Sequence, residues 1–568
     1  MCGIFFCLKK NTDGTKDVQF DSEEVKIINK AFDLLNKRGP DSSNLKIQYN
    51  KIFGFKRLAI NDLSENGNQP FIYPIDKEFD EDNYTHISMC NGEIYNHKDL
   101  EQKYKIVTKS NSDCECLIPL YKSFFTKKLD KMFNEIDGVF AMTIYDKEKN
   151  MIIIARDKIG VKPLFYINND DYFIISSEAK TLDYIKTYHP FIKNTKCNIV
   201  SFPPRSFGLY FLNNNKFTLH EYYNLNNLLI PQSFHNSMFN TNMIHNTKQV
   251  HDLLYKSVEK RLLSDRPIGC LLSGGVDSSI IAAILAKIYN TKGKKIKTFS
   301  VGFPDSTDLK YARIVADYIK SDHNEYIIDY KDAINIIPDV INAIETYDIT
   351  TIRASVPMYL LCKYIKENFK ETVIFSGEGS DELFGGYLYF HYAPDNHEFH
   401  RETIRLVSNL HIYDVLRADR CISGNSLEIR EPFLDKDLIE FVGSLDGKFK
   451  KPRQNFEKFL LRKAFNGYLP DSVLWRQKVA FSDGVGNSSV KPWYKYLQEH
   501  ADTIITDNEL QNANSLQNKR FNKESLFYYQ LFTQIFKSYD LSISYWLPKW
   551  IDTGLEPSAT VLDVCKNS

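Results

Sequence analysis

The chain has 568 residues, 43% of them hydrophobic and 25% charged, and its 72 Lys plus Arg are balanced by 72 Asp plus Glu. That length excludes a small disulfide scaffold and accommodates two large units, or about three or four of roughly 100–200 residues. Zero net charge excludes a dedicated nucleic-acid or polybasic membrane binder, so charged ligands are expected to be held by local groups.

The opening run, residues 1–10, lacks the charged n-region of a secretory signal. Its apolar centre, residues 4–8, reads as a buried first strand, which sets Cys2 at the edge of a sheet. A helix is predicted over residues 23–37 and another over 114–125. Strands are predicted over residues 87–90, 140–145, 151–155, 164–167 and 172–176, with turn signals at Asn91-Gly92 and Asp137-Gly138. The pattern predicts a mixed α/β unit with stacked sheets up to about residue 225.

Residues 226–248 are poor in charge and rich in Asn, His, Ser and Met, and read as a linker or surface excursion. Beyond residue 249, apolar strands alternate with helices: 268–272 with 279–289, 296–303 with 308–318, then 373–376. Such alternation predicts a parallel sheet with crossover helices. From about residue 395 the chain reads as mostly helical.

The ten cysteines form no CxxC pair, which argues against a zinc ribbon. Their sparse use fits a reducing, cytoplasmic setting. No stretch approaches the ~18 apolar residues of a membrane span. Cys7, Cys90, Cys270, His86 and His97 read as structural, and Trp546 and Trp550 as packing residues.

If Met1 is removed, the α-amine of Cys2, with an ordinary pKa of about 7.7–8.0, can take the thiol proton. Downstream lie Arg38-Gly39-Pro40-Asp41, Arg57-Leu58-Ala59-Ile60, Asn91-Gly92-Glu93 and Ser112-Asp113. Asn91 and the Gly92 N–H suit an oxyanion hole. Arg57 can fork onto an α-carboxylate, and Glu93 and Asp113 suit an α-ammonium. Together they describe a site for an amino acid whose side-chain amide is hydrolysed.

A second chemistry stands at Ser273-Gly274-Gly275-Val276-Asp277-Ser278, between an apolar strand and a helix. Its glycines allow a tight turn, and the loop amides and helix N-terminus favour an anion. No Walker A string occurs. The segment resembles the pyrophosphate loop (PP-loop) of enzymes that cleave ATP between its α- and β-phosphates. A further cluster, Ser376-Gly377-Glu378-Gly379-Ser380-Asp381-Glu382, again follows an apolar run. At the carboxyl ends of parallel strands, the two clusters would open onto one crevice.

With these motifs in place, the chain resembles the glutamine-hydrolysing asparagine synthetases over nearly its whole length. The first part is similar to a class II glutaminase through Cys2-Gly3-Ile4, residues 38–41, 91–93, 155–157 and 160–166. The second is similar to the synthetase domain through the PP-loop and residues 345–355, 376–387, 475–478 and 481–486. Residues 545–551 most resemble the eukaryotic-type tail.

The resemblance implies an N-terminal-nucleophile hydrolase domain over residues 2–225, with stacked β-sheets between helices. A PP-loop ATP pyrophosphatase domain would follow over 249–568, with a parallel sheet and a helical C-terminal part. It implies that Cys2 attacks glutamine while Asn91 and Gly92 stabilise the oxyanion, and that Arg57, Ile60, Asn91, Glu93 and Asp113 hold glutamine. Leu272, Ser273, Gly274, Gly275, Asp277, Ser278, Val301, Ser376 and Gly377 would line the ATP site. Asp277 and Asp381 would be ligands of Mg²⁺ with ATP, Lys478 would offset charge on pyrophosphate, and Glu378 would deprotonate ammonia attacking β-aspartyl-AMP. Glutamine, aspartate and ATP are the implied partners, no nucleic acid or membrane is expected, and a homodimer is left open. Ammonia would have to travel inside the protein through a mostly apolar tunnel.

One departure is Glu431, where relatives usually carry an apolar residue; an exposed position or a pairing with Arg430 would make it harmless. An amidotransferase or ligase with another acceptor is the alternative enzyme. A catalytically silent storage or regulatory protein is the alternative from another class; retention of Cys2, Asp277, Glu378 and Lys478 argues against it.

Overall fold

A computed structural model describes residues 1–11, 18–74, 84–124, 128–193, 196–229, 242–304, 306–486, 491–516 and 520–558. In the strand Gly3–Lys9, side chains alternate between two faces, as the pleat requires. Ile4, Phe6 and Leu8 enter one buried cluster, and Phe5 and Cys7 another. This strand is internal to a six-stranded antiparallel sheet ordered Val200–Ser201, Phe165–Asn168, Tyr172–Ser176, Gly3–Lys9, Lys51–Arg57 and Ser42–Gln48.

A second antiparallel sheet is ordered Lys216–Glu221, Ser206–Phe211, Met151–Arg156, Gly138–Asp146, His86–Ile94 and Phe71–Tyr73. The two sheets share a core of Ile4, Phe6, Phe53 and Phe55 against Ile87, Met89, Ala141 and Ile154. Each large side chain so buried contributes about 1.5–3 kcal/mol. Helices cover both outer faces. Ser22–Asp33 and Ala179–Tyr188 supply Ile28, Phe32, Leu182 and Ile185 to one side. His97–Tyr104, Leu117–Phe124 and Leu129–Glu135 supply Leu100, Leu117, Tyr121 and Phe133 to the other. Stacked sheets between helices are the arrangement the resemblance implied.

The second half centres on a parallel sheet ordered Asp322–Ile327, Lys297–Gly302, Ile268–Leu271, Val373–Phe375 and Glu428–Arg430. The chain winds outward in opposite directions from Ile268–Leu271, so the crevice between it and Val373–Phe375 is a topological switch point. The helices Val276–Thr291 and Thr307–Ile319 pack beside it. Two short strands differ from the sequence reading. Asp322–Ile327 was not expected, and Glu428–Arg430 lies inside the stretch read as helical. Three residues are too few to show a periodicity.

Three further boundaries are corrected. The helix expected over 23–37 ends at Asp33 and continues as turns. The one expected over 114–125 is a 3₁₀ turn, Asp113–Cys116, running into Leu117–Phe124. Of the stretch read as a linker, residues 243–248 are the first turns of the helix Met243–Lys260, capped by Asn242; residues 230–241 lie outside the described residues.

The two halves share a continuous apolar cluster that includes Met1 and Phe32 as well as Ile280 and Phe433. Charges cross the boundary too. Buried Arg38 reaches Glu178 Oε1 at 3.2 Å in its own half and Asp419 Oδ2 at 3.0 Å in the other.

Candidate functional site

Because Gly3–Lys9 pairs on both sides, the residue before it is held at a fixed place. Cys2 donates its N–H to Asn91 Oδ1 at 2.9 Å, and its carbonyl accepts from Arg38 Nε at 2.9 Å. The thiol lies 3.7 Å from the Leu58 carbonyl oxygen. Burial pushes the Cys2 thiol up from its ordinary value, opposed by the Met1 ammonium. That ammonium is itself buried and sits 3.1 Å from Glu428 Oε2, a carboxylate of the other half.

Asn91 is fully buried, and its Nδ2 has no hydrogen-bond partner. Such a donor is costly unless a ligand completes it. Gly92 allows the strands to close here, since a Cβ would fall 2.2 Å from the Val139 carbonyl oxygen.

The cavity beside Cys2 is lined by Arg57, Ile60, Asn61, Gly92, Glu93 and Asp113, with Glu428 entering from the other half. Asn61 Nδ2 ties Glu93 Oε2 at 2.6 Å to Asp113 Oδ1 at 3.2 Å. Asp113 Oδ2 also accepts from the Ile94 N–H at 2.6 Å. Burial pushes Glu93 well above its ordinary value, although Arg430 at 3.2 Å opposes it. Arg57 spends much of its guanidinium on the following loop, donating to the Ser64 carbonyl at 2.7 Å and Asn68 Oδ1 at 2.9 Å.

The larger cavity opens at the switch point. Leu272, Ser273, Gly275, Asp277, Ser278, Val301, Ser376 and Gly377 line it, together with Glu378, Asp381 and Lys478. Gly274 does not line it. It turns with φ +73° into the helix Thr307–Ile319, where a Cβ would meet the Ala312 nitrogen at 2.5 Å. Its role is therefore close packing behind the loop.

The helix Val276–Thr291 begins without a side-chain cap, leaving its first amides for an anion. Ser273 Oγ and Ser278 Oγ lie 3.0 Å apart across the loop. Gly377 lets the second loop touch the first, since a Cβ would come 2.8 Å from the Ser278 nitrogen.

Asp277 and Asp381 converge on one ammonium. Lys458 Nζ lies 2.5 Å from Asp277 Oδ2 and 2.7 Å from Asp381 Oδ1. Lys478 Nζ lies 2.7 Å from Asp381 Oδ2. Burial works against the Asp381 carboxylate, but the two lysines hold it far below its ordinary value. Ser380 Oγ donates to Asp277 Oδ1 at 2.6 Å. The common point is the Lys458 ammonium, but both carboxylates also edge the cavity beside the helix amides, and carboxylate oxygens are the hard donors a divalent cation takes.

Glu378 accepts from Arg417 at 2.8 Å, and Arg417 also holds Asp414 at 2.7 Å. Burial raises the Glu378 carboxyl, Arg417 opposes that, and Asp414 adds to it. The cavity wall also holds Trp546, packed on Tyr387 at 4.9 Å between ring centres; Trp550, outside the lining, is tilted against Tyr389 and edge-on to Phe390. Trp546 is thus a cavity residue as well as a packing one.

Polar residues at these sites that were not singled out from sequence include Asn61, Asp414, Arg417, Glu428 and Lys458. Lys458 lies in an irregular turn, with left-handed backbone at Gln454, Asn455 and Lys458, and 181 positions from Asp277. No spacing rule reaches that far. Glu428 and Arg430 stood beside the departure at Glu431, which was the available signal.

His86 sits 3.5 Å from Asp146, edge-on to Tyr121, and His97 bonds the Ile94 carbonyl; both are away from either cavity. Among the described residues Cys2, Cys7, Cys90, Cys114, Cys116, Cys270, Cys362 and Cys421 are free.

The family described as asparagine synthase matches residues 249–399 and 393–550. The glutamine amidotransferase domain matches residues 1–200. The chain is 39% identical over 582 residues to a probable glutamine-hydrolysing asparagine synthetase of Acanthamoeba polyphaga mimivirus, covering 99% of this chain and 100% of that one. It is 38% identical to the glutamine-hydrolysing asparagine synthetases of Mus musculus, over 562 residues, and Homo sapiens, over 554 residues; each comparison covers 94% of this chain and 95% of the relative. Two cavities, one beside an N-terminal cysteine and one at a PP-loop, thus accompany full-length similarity, and the chain belongs to the glutamine-hydrolysing asparagine synthetase family.

Proposed function

We propose that this chain makes asparagine from aspartate, using the amide nitrogen of glutamine and cleaving ATP to AMP and pyrophosphate, with its two cavities dividing the work. The observation that carries the first half is Asn91. Its Oδ1 holds the Cys2 nitrogen while its buried Nδ2 has no partner. A tetrahedral oxyanion formed at Cys2 Sγ supplies that partner, with the Gly92 N–H as second donor.

In this reading Met1 is removed, and the α-amine of Cys2 takes the thiol proton. The thiolate attacks the glutamine side-chain carbonyl, and the amine then protonates the departing nitrogen. Water releases glutamate from the thioester. Ile60 shapes the pocket, Arg57 faces the α-carboxylate, and Glu93 and Asp113 face the α-ammonium.

In the second cavity the free amides at Val276–Thr291 and the loop hydroxyls of Ser273 and Ser278 receive the phosphates. The β-carboxylate of aspartate attacks the α-phosphorus, forming a P–O bond as pyrophosphate leaves. Lys478, with Lys458, meets the charge that accumulates on the leaving group. Asp277 and Asp381 would hold Mg²⁺, which supplies charge neutralisation on the phosphates when bound. Glu378, its carboxyl raised by burial, accepts the proton lost as ammonia attacks the acyl carbon. No described helix is long and apolar enough to cross a membrane. The free cysteines support a cytoplasmic setting.

The test is purified protein with glutamine, aspartate and Mg-ATP, followed for asparagine, glutamate, AMP and pyrophosphate. One asparagine per AMP supports the reading. ADP in place of AMP would overturn the PP-loop assignment, and turnover only with a different acceptor would favour the alternative ligase.

A further inference from the structure

Glu431 directly follows the strand Glu428–Arg430, and that strand serves both cavities. Glu428 lines the cavity beside Cys2 and holds the Met1 ammonium. The Arg430 carbonyl accepts from the Ser376 N–H at 2.9 Å, in the wall of the ATP cavity. Farther along, a Cβ at Gly379, next to Glu378, would lie 2.3 Å from Leu434. The segment carrying Glu431 thus runs from one site to the loop of the other.

Neither condition that would make a carboxylate harmless here is met. Glu431 is only 4% exposed, and Arg430 is paired with Glu428 and Glu93 instead. Glu431 Oε1 is buried without a hydrogen-bond partner. The charges that act on it come from elements on every side: Lys162, Asp419, Glu378 and Asp157. Lys162 Nζ in turn lies 3.8 Å from Asp419 Oδ1, joining the first half to the second.

We propose that Glu431 is a neutral, hydrogen-bonding station for ammonia moving from the Cys2 cavity to Glu378, making this stretch of the route polar where an apolar one was expected. The inference rests on the function proposed above. A protonated carboxyl offers one O–H donor and a carbonyl acceptor. Ammonia presents one lone pair and three N–H groups, so both ends of the carboxyl are matched with no proton transferred. Forming ammonium carboxylate instead would create two charges in a buried place, which is costly.

Burial pushes the Glu431 carboxyl up to about 8, against the pull of Lys162 and with Asp419, Glu378 and Asp157 adding to the rise. Above that pH it ionises, and a carboxylate stabilises ammonium, which has no lone pair for attack. Glu431 is therefore a positioning residue whose service is lost with its proton.

The test uses the complete enzyme with glutamine, aspartate and Mg-ATP over the range of about pH 6.5 to 9, comparing wild type with Glu431→Gln and Glu431→Val. The readout is asparagine formed per glutamate released, divided by synthesis from saturating added ammonia at each pH. The wild-type ratio is expected to fall to about half near pH 8, where half the carboxyl is ionised. Glu431→Gln, which cannot ionise, is expected to keep a flat ratio. Glu431→Val is expected to be flat but lower. Identical profiles for wild type and Glu431→Gln would overturn the proposal even if the valine variant fails to fold. No asparagine from wild type with either nitrogen source would overturn the function itself, and the station with it.

Discussion

Asp277 and Asp381, each in the first turn of a helix that follows one of two neighbouring parallel strands, share the ammonium of Lys458 at 2.5 and 2.7 Å. The Lys458 side chain is fully buried, whereas the two carboxylates keep an edge toward the cavity. Removing one partner of a buried ionic cluster typically costs about 3–5 kcal/mol, because the remaining charge is stranded. Lys478 and cavity water offset part of that here. Lys458→Met is therefore expected to lower unfolding stability by about 2–3 kcal/mol in urea. It should also reduce synthesis from either nitrogen source while glutamine hydrolysis continues. Unchanged stability together with unchanged synthesis would show that the lysine only fills space.

Asn91→Ala removes the unpartnered donor beside Cys2. Loss of one oxyanion donor costs about 2.7–4 kcal/mol, or roughly 10²–10³ in kcat. Steady-state glutamine hydrolysis should show that loss in kcat with little change in KM, and ammonia-dependent synthesis should remain. A change confined to KM would place Asn91 in ground-state binding instead.

Gly377→Ala places a methyl group 2.8 Å from the Ser278 nitrogen and 3.0 Å from the Asp277 carbonyl carbon. Those are backbone atoms of the phosphate loop and cannot swing aside as a side chain would. Overpacking of this kind costs about 1–3 kcal/mol. ATP binding, read by equilibrium titration, is expected to weaken, and the glutaminase half-reaction should be untouched. Full ATP affinity in the variant would mean the two loops are not held together at this point.

Lys450 is buried, with His400 Nδ1 and Thr403 Oγ1 at 3.2 Å each, and burial, opposed by Asp446, pushes its ammonium down to about 7. Between pH 7 and the ordinary value of 10.5 the unfolded chain holds a proton that the folded chain has lost. Stability contributed by this residue therefore rises with pH through that window, and its full penalty is present below it. Urea unfolding at several pH values should show that slope in the wild type and lose it in Lys450→Met, which is expected to be the more stable protein at low pH. A slope that persists in the variant would assign it to other groups.

Much of the architecture was legible because the pleat and the helix each impose a short period. The alternation around Ile4–Leu8 located the first strand, and the strand ends before Ser273 and Ser376 located the crevice. Glutamine-dependent asparagine synthesis was legible for a related reason: Cys2, Asn91-Gly92 and the PP-loop are short strings in which backbone and side chain act together.

What lay beyond reach was everything joined across long separations. The Glu428–Arg430 strand is too short to show a period, yet it carries Glu428 to the N-terminus and Arg430 to Glu93. Lys458 has no signature, because its partners are set by where a turn happens to pass. Gly274 belongs to the loop motif by sequence but packs behind the cavity.

Charge balance tells the same story. The sequence alone determined that positive and negative groups are equal in number and that no global field attracts a ligand. Only the tertiary structure decided which of them are buried together, and burial is what turns a neutral tally into chemistry. It pairs Lys458 with two aspartates, and it leaves Glu431 Oε1 without a hydrogen-bond partner. The cost of removing a charge from water depends on its surroundings in three dimensions, which composition cannot report.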